Sequence, residues 1–442
     1  MPHATPYVLD TYHRDHKLLF FLFRIRSLVS PAMDTGPCGT LQRRTLTVTD
    51  CPEHDHEDCL RAYHLYIPAY LCSGDANGDA DAAPLVVAAH CFGCPIHSML
   101  PFMTLLADQF RFVLVLPEGI QGSFNGKYCC GYAQKRGIDD VGFIEAVVAD
   151  LMRTAPCSSL TEGLPEGVML SPGAAYGVGW SNGGYLVTLA GNRIFRAVVP
   201  ISGSVYDVGQ DVGRMMEGGA GVGLLLHHSL DDPYVRFTGC CSDPAKPKCC
   251  CGISARDGAP DTCTNSDGVF EAWADEVNGC AGGGYAPSLE SAENGGISCR
   301  TAIGEGCRAN TTICVHHTAG HFNEGGGLGQ SFPRSMLEEV GHFFAQDACG
   351  IHGGEWSKGG KDCECVEGGN GWDGRYCLRP PGNDTVTSSS CSVGYVKDSN
   401  WLAFFVVVCI AIAVTLQRRK RLIPREKRED EIEMEALMER KR

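Results

Sequence analysis

The sequence predicts an α/β fold with a mostly parallel, doubly wound sheet, on the basis of two observations. Short apolar segments typical of buried strands recur along the chain. Residues suited to chemistry follow directly after three of them, at the edge where open α/β sheets bind ligands. The strand segments are residues 175–178, 196–202, 222–228 and 312–317.

The first of these strands leads into Gly179-Trp180-Ser181-Asn182-Gly183, a Gly-x-Ser-x-Gly pattern. Residues 185–190 predict a helix directly after it. Glycine at both ends removes the Cβ atoms that would block a tight turn, and the turn would lift the Ser181 hydroxyl above the sheet beside the Asn182 N–H. A plain glycine-rich loop is the alternative, but the flanking strand and helix favour a nucleophile elbow.

A nucleophilic serine needs a base, and the base needs an orienting acid. Asp231 and Asp232 follow the strand at 222–228, and His321 lies on a glycine-containing loop after the strand at 312–317. An aspartate pair in a turn is usually a solvated cap, and a single histidine is usually structural. Three residues in the order serine, acid, histidine, each after a strand, favour a catalytic triad over both alternatives.

Several separate motifs between Thr45 and Cys349 resemble one family. It is the esterase group of α/β-hydrolases that contains extracellular polyhydroxybutyrate depolymerases and feruloyl esterases, the LpqC-like family. The motifs are the strand and loop Pro84–Gly93, the strand Phe112–Gly119, the Phe124-Asn…Cys129-Cys130-Gly…Asp139-Asp-Val-Gly-Phe143 block, Trp273-Ala…Asn278-Gly-Cys280 and Gly320-His321-Phe322.

The resemblance implies an α/β-hydrolase fold with Ser181 as nucleophile and His321 as general base. It favours Asp232 over Asp231 as the acid, because Val, an aromatic residue and Gly follow Asp232 at the family's spacing. The implied activity is serine carboxylic ester hydrolysis on polyester or on acyl groups of polysaccharides, without a metal or cofactor. A catalytically inactive surface adhesion protein of the same fold is the alternative.

The oxyanion hole implied by the resemblance uses the N–H of Asn182 and an N–H of Cys91 or Phe92. Cys91 stands where the family commonly has glycine, and His228-Ser-Leu stands where it has His-Gly-Thr. Because backbone N–H groups form such a hole, a cysteine there can still supply one.

The chain has 25 cysteines in 442 residues, which indicates a disulfide framework made in an oxidising compartment. A Cys-rich insertion at 239–270 is expected near Asp232, either shaping a substrate cleft or serving only as a stabilised loop. Cys91-x-x-Cys94 could be a redox motif, but a structural disulfide is favoured, with Cys129 and Cys130 on neighbouring loops as plausible partners.

The predicted domain order runs from an N-terminal region at 1–37, with an atypical signal-like segment, to the hydrolase domain at 38–348. A partial EGF-like segment at 349–377, suited to protein contacts, and a polar stem at 378–400 follow. Residues 401–417 are apolar and precede a basic cluster at 418–421, which predicts one membrane helix with a cytoplasmic tail at 418–442. This gives a single-pass type I protein with sequons at Asn310 and Asn383 outside the cytoplasm.

The formal net charge is −15, and the tail carries ten Lys/Arg against seven Asp/Glu. The rest of the chain is therefore strongly acidic, which argues against nucleic acid as a partner. The expected partners are an ester substrate, in the family often polymeric, and a membrane.

Overall fold

In a computed structural model of the chain, the described residues are 38–48, 60–73, 82–127, 129–153, 164–165, 168–205, 221–239, 264–280, 283–291, 296–322, 332–351, 355–356 and 363–364. They belong to the first of two compact units, Met1–Asn383, while the second, Asp384–Arg442, lies wholly outside the described residues.

The described strands form a ten-stranded sheet and a separate two-stranded one. The strands are β1 (Leu41–Thr47), β2 (Leu60–Tyr66), β3 (Ala82–Ala89), β4 (Val113–Pro117), β5 (Met169–Trp180), β6 (Ala197–Ile201), β7 (Gly223–Ser229), β8 (Gly284–Ser291), β9 (Ile297–Ile303), β10 (Thr311–His316), β11 (Glu355–Trp356) and β12 (Cys363–Glu364). The helices are α1 (Ala69–Ser73), α2 (Leu100–Phe110), α3 (Gly131–Arg136), α4 (Asp140–Arg153), α5 (Asn182–Ile194), α6 (Ser266–Ala272) and α7 (Arg334–Gly350), with a 3₁₀ turn at Ile96–Ser98 and a π turn at Trp273–Val277.

The large sheet has the strand order β1-β2-β4-β3-β5-β6-β7-β10-β9-β8. From β4 to β10 all neighbours are parallel, and β2 runs antiparallel to both β1 and β4. The eight strands from β1 to β10 in this order are those of the α/β-hydrolase fold. Two antiparallel strands, β9 and β8, extend the sheet beyond β10.

Helices cover both faces of the sheet, as a parallel sheet requires. Alternate residues of β3 show the division, since Leu85 and Val87 pack in the core with α4, α5 and α6, while Val86 packs on the other side with α2 and α7. Central strands buried on both faces are mostly apolar, which is why β3, β4 and β6 appear in the sequence as continuous apolar runs and β7 begins with one before the buried polar residues 227–229.

The last turn of the final helix, α7, extends to Gly350. Cys349 lies buried in that turn and forms a disulfide with Cys363 at the start of β12. The segment that resembles an EGF-like module is therefore bonded covalently to the last helix of the hydrolase fold. Most of that segment, the stem, the apolar span 401–417, the tail, Asn383 and the signal-like segment lie outside the described residues.

Across the described ranges, no helix has the length and apolarity needed to span a membrane.

Candidate active site

Ser181 lies between β5 and α5, where the chain turns sharply from strand to helix. Its backbone has φ 53° and ψ −113°, a conformation that non-glycine residues rarely adopt. The Ser181 N–H donates to the Ile201 carbonyl at 2.7 Å, which fixes the strained residue to β6. A Cβ on Gly179 would collide with the Gly183 carbonyl, and one on Gly183 with the Ala89 carbonyl, so both positions require glycine. The geometry is that of a nucleophile elbow.

Asn182 is the first residue of α5, and its side chain is buried against the loop after β4. Its amide donates to the Phe124 carbonyl at 2.9 Å and accepts from the Phe124 N–H at 2.7 Å. The side chain thus fixes a neighbouring loop. The backbone N–H remains available at the start of the helix, because the first N–H groups of a helix have no partner within it.

The buried ion pair Arg61–Asp140 stabilises the loop that contains Phe124. Asp140 accepts from Arg61 at 2.5 Å and from the Asn125 N–H at 2.6 Å, while the Arg61 guanidinium lies 4.2 Å from the Phe143 ring centre. The Phe124…Phe143 motif is therefore structural, and it holds the residues that contact the elbow. Removing one partner of such a buried pair typically costs about 3–5 kcal/mol.

Asp232 and His321 meet above the carboxyl ends of β7 and β10. Asp232 is 4% exposed, and its Oδ2 accepts from His321 Nδ1 at 2.8 Å. The N–H groups of Tyr234 and Val235 donate to its Oδ1 at 2.9 Å each. Burial alone would raise the pKa of Asp232, but hydrogen bonds from His228 and His321 hold it well below its usual range. Because an ionised carboxylate only accepts, His321 Nδ1 carries a proton, and in the neutral imidazole Nε2 is the nitrogen that can accept one.

His321 lies next to the elbow. Trp180, the residue before Ser181, donates its ring N–H to the His321 carbonyl at 3.2 Å, and the two ring centres are 6.1 Å apart. The Tyr234 ring stands edge-on to the histidine ring at 5.2 Å and is 57% exposed. The structure thus brings His321, Asp232 and the elbow into one site.

Asp231 is exposed, and its Oδ1 accepts from Ser229 Oγ and the Gly320 N–H.

The loop after β3 presents the Cys91–Phe92 peptide. The Cys91 carbonyl accepts from His90 Nδ1 at 2.8 Å and from the Cys94 N–H at 3.2 Å. A trans peptide points its N–H opposite to its carbonyl, so the Phe92 N–H is directed away from these donors. Among the described residues it meets no acceptor. No backbone acceptor is found for the Cys91 N–H within the described residues either, so both expected donors of this loop remain candidates, whereas the Gly93 N–H donates to the Gly122 carbonyl at 2.8 Å.

His90 is buried and holds this loop to the next one. The Gly119 N–H donates to its Nε2 at 3.0 Å, and its Nδ1 donates to the Cys91 carbonyl. In the neutral imidazole, both ring nitrogens of His90 have a hydrogen-bond partner. Burial lowers the pKa of His90, which also favours the neutral form.

The cysteines of this region pair differently from the expected partners. Cys91 bonds to Cys94 within its own loop, and Cys129 bonds to its neighbour Cys130. The plausible bond between the two loops does not form here, because the turn between residues 91 and 94 already brings their Cα atoms to 5.2 Å. The other disulfides among the described residues are Cys349–Cys363, given above, and Cys38–Cys72, Cys280–Cys307 and Cys299–Cys314.

Sequence reasoning missed the role of His228. Its Nε2 donates to the Val235 carbonyl at 2.7 Å and lies 3.5 Å from Asp232 Oδ2, and its Nδ1 lies 2.5 Å from the Ser266 hydroxyl. His228 therefore joins the acid loop to the first residue of α6, which belongs to the Cys-rich insertion 239–270, whose residues 240–263 lie outside the described residues. The position of His228 at the buried end of an apolar strand could have indicated a role for it. Its contact with Ser266 could not be predicted, because the two residues are 38 apart in the sequence.

One group of possible metal ligands occurs within the described ranges, formed by His227, Cys314 and Glu339. Cys314 is bonded to Cys299, so its sulfur is not a thiolate. Two ligands remain, fewer than a typical protein zinc site supplies.

The sequon residue Asn310 is exposed and accepts a hydrogen bond from Thr312 Oγ at 3.2 Å.

No protein-family model matches the sequence, and no curated protein matches it. Among solved structures, an S-formylglutathione hydrolase of Staphylococcus aureus shares 12% identity at a TM-score of 0.31, over 44% of this chain and 80% of that one. The S. aureus fluorophosphonate-binding serine hydrolase F shares 10% identity at a TM-score of 0.29, over 44% and 81% of the two chains. A ferulic acid esterase shares 13% at a TM-score of 0.28, over 44% and 80%. The α/β-hydrolase assignment follows from the strand order and the elbow.

Proposed function

We propose that the protein is a serine carboxylic ester hydrolase. The observation that carries the proposal is the buried Asp232–His321 pair beside a serine held in the strained elbow conformation. Serine, acid and histidine follow the carboxyl ends of three parallel strands. A structural serine has no need of a disfavoured backbone, whereas a nucleophile does because the turn exposes its hydroxyl.

In the proposed reaction, Ser181 Oγ attacks the ester carbonyl while His321 Nε2 takes the hydroxyl proton. Asp232 keeps the other ring nitrogen protonated and stabilises the imidazolium that forms. His321 then gives the proton to the leaving alcohol, which leaves an acyl group on Ser181. A water molecule, deprotonated by the same histidine, attacks the acyl carbonyl; the bond to Ser181 Oγ then breaks, His321 returns the proton to Oγ, and the acid is released.

The negative charge on the carbonyl oxygen would be stabilised by the N–H groups of Asn182 and of Cys91 or Phe92. These are backbone donors on elements fixed by His90 and by the Phe124 loop, so they need little reorganisation during the reaction. Removing one such donor typically lowers kcat about 10²–10³-fold. The proposed chemistry requires no metal or organic cofactor.

The substrate and location are also proposals. The motif resemblance supports polyester or acyl-polysaccharide esters, and the cysteine content supports an extracytoplasmic compartment. The apolar residues 401–417 support anchoring by one membrane helix. The alternative of an inactive adhesion protein accounts for the fold but not for a buried Asp232 that holds His321 through Nδ1 beside the elbow.

A direct test is labelling with a fluorophosphonate, which reacts readily only with an activated serine. The purified protein should be labelled and should hydrolyse short p-nitrophenyl esters, and Ser181→Ala should abolish both. Loss of such a nucleophile typically lowers kcat by about 10⁶. Ser204→Ala, a change at another buried serine, is the matched control and should keep the labelling. Hydrolysis that survives Ser181→Ala would refute the proposal.

A further inference from the structure

Asp231 and Asp232 both follow β7, but only Asp232 contacts the ring of His321. The carboxylate of Asp231 faces the backbone of the loop that carries the histidine. Its Oδ1 accepts from the Gly320 N–H at 2.8 Å, and Gly320 directly precedes His321. Asp231 is therefore hydrogen-bonded to the loop that carries His321, although its side chain is exposed to solvent.

Ser229 completes this connection. Its hydroxyl lies 2.6 Å from Asp231 Oδ1 and 3.0 Å from the Ala319 nitrogen. The hydroxyl accepts from the Ala319 N–H, and it donates its one proton to Asp231, the closer and charged acceptor, rather than to the His316 carbonyl at 3.1 Å. The hydrogen bond from Ser229 lowers the pKa of Asp231, so the carboxylate is ionised at neutral pH. Two successive N–H groups before His321 are thus held by the acid loop.

The histidine loop turns sharply at this point. Gly320 has φ +55°, and the Phe322 N–H donates to the Ala319 carbonyl at 3.0 Å, so the turn closes around His321. The Trp180 ring holds the His321 carbonyl. Ser229, Asp231 and Trp180 together fix the backbone on both sides of the histidine, while Asp232 fixes its ring.

We propose that Asp231 is a positioning residue, which sets where His321 lies relative to Ser181 by holding the Ala319–Gly320 backbone. This rests on the proposed hydrolase function. The required property is an acceptor at Oδ1, because the contacts that hold the loop are hydrogen bonds and the site is exposed, where charge alone acts weakly. Misplacement of a catalytic group by about 1 Å can cost about 10²-fold in rate.

The test compares Asp231→Ala, which removes the acceptor, with Asp231→Asn, which keeps one at the same place. For p-nitrophenyl ester hydrolysis we expect Asp231→Ala to lower kcat about 10–100-fold with little change in KM. Asp231→Asn should recover most of that loss. Asp108→Ala, at an exposed acid that also accepts from a hydroxyl, is the matched control and should leave kcat unchanged.

Ser229→Ala should act through the same contacts. Its loss should resemble that of Asp231→Ala, and the double variant should be no slower than the slower single variant, since coupled residues are not additive. Equal losses in Asp231→Ala and Asp231→Asn, a loss below about twofold in Asp231→Ala, or an additive double variant would overturn the proposal.

A second readout does not depend on activity. The proton on His321 Nδ1, hydrogen-bonded to a buried carboxylate, should give a downfield proton NMR signal that Asp232→Asn removes. The signal should persist in Asp231→Asn and broaden in Asp231→Ala. A protein without hydrolase activity that shows this pattern would refute the proposed function alone, and an unaltered signal in Asp231→Ala would refute the positioning role.

Discussion

Asp231 and Asp232 are identical side chains one residue apart, yet the turn after β7 gives them different surroundings. Asp232 is buried with donors on both oxygens, whereas Asp231 is exposed. Because the folded-state pKa of Asp232 is depressed, its stabilising contribution is complete above its unfolded pKa of about 3.9 and is lost as the pH falls through the lower folded value. The acid should thus remain ionised throughout the neutral range.

Asp232→Asn should lower kcat by roughly 10³–10⁴-fold, because an amide can donate to His321 Nδ1 and so favours the wrong tautomer. The Asp231→Asn variant is the control and should lose only several-fold. Steady-state kinetics of both variants on one ester provide the measurement. Comparable losses at the two positions would show that the acid has been assigned to the wrong aspartate.

Helix α7 carries two adjacent glutamates with different environments. Glu338 pairs with Arg334 on the surface, while Glu339 faces the Cys299–Cys314 disulfide, with one carboxyl oxygen 3.3 Å from Cys314 Sγ. Burial raises the pKa of Glu339 to about 7. Between its unfolded pKa and this value, the folded chain binds a proton that the unfolded chain has released. The free energy of unfolding therefore falls as the pH rises through that window.

Glu339→Gln should remove this penalty while keeping the side-chain volume. Denaturant unfolding at pH 8 should show the variant more stable by roughly 2–3 kcal/mol, whereas at pH 4.5 the two proteins should be similar. Glu338→Gln serves as the control and should show no gain that depends on pH. An unchanged free energy of unfolding at pH 8 in Glu339→Gln would contradict the assignment.

How much of the fold the sequence could predict depends on burial. The predicted strands at 175–178, 196–202, 222–228 and 312–317 fall on β5, β6, β7 and β10, which are apolar because helices cover both faces. The added strands were not predicted, because the described side chains of the edge strand β8 are mostly exposed and β9, between β10 and β8, alternates in burial only over its first four residues. The residues of the site could be named because each follows a strand, but their partners, such as Ser266 for His228, depend on tertiary contacts.

At the scale of the whole molecule, the Cys349–Cys363 disulfide joins the last helix of the hydrolase fold to the segment that follows it. A chain that ends with that helix lacks this bond. A chain ending after Asn383 should be soluble and keep the Ser181-dependent activity, because it lacks residues 401–417 and keeps Cys363. A chain ending after Gly350 should expose one additional thiol and lose stability of about 3 kcal/mol, since it lacks the bond that closes a loop of 14 residues. Thiol titration, thermal unfolding and membrane sedimentation measure these outcomes. Equal stability of the two shortened chains would show that the bond to Cys363 is dispensable.

The described disulfides join cysteines separated by 34, 3, 1, 27, 15 and 14 residues, so every one is local in a chain of 442. At a synthesis rate of about 5–20 residues per second, both cysteines of the widest pair emerge from the ribosome within several seconds of each other. Cys38–Cys72, Cys91–Cys94 and Cys129–Cys130 can therefore form before most of the 25 cysteines have been made. During biosynthesis, the order in which the chain appears would itself protect these three pairs from mispairing with later cysteines.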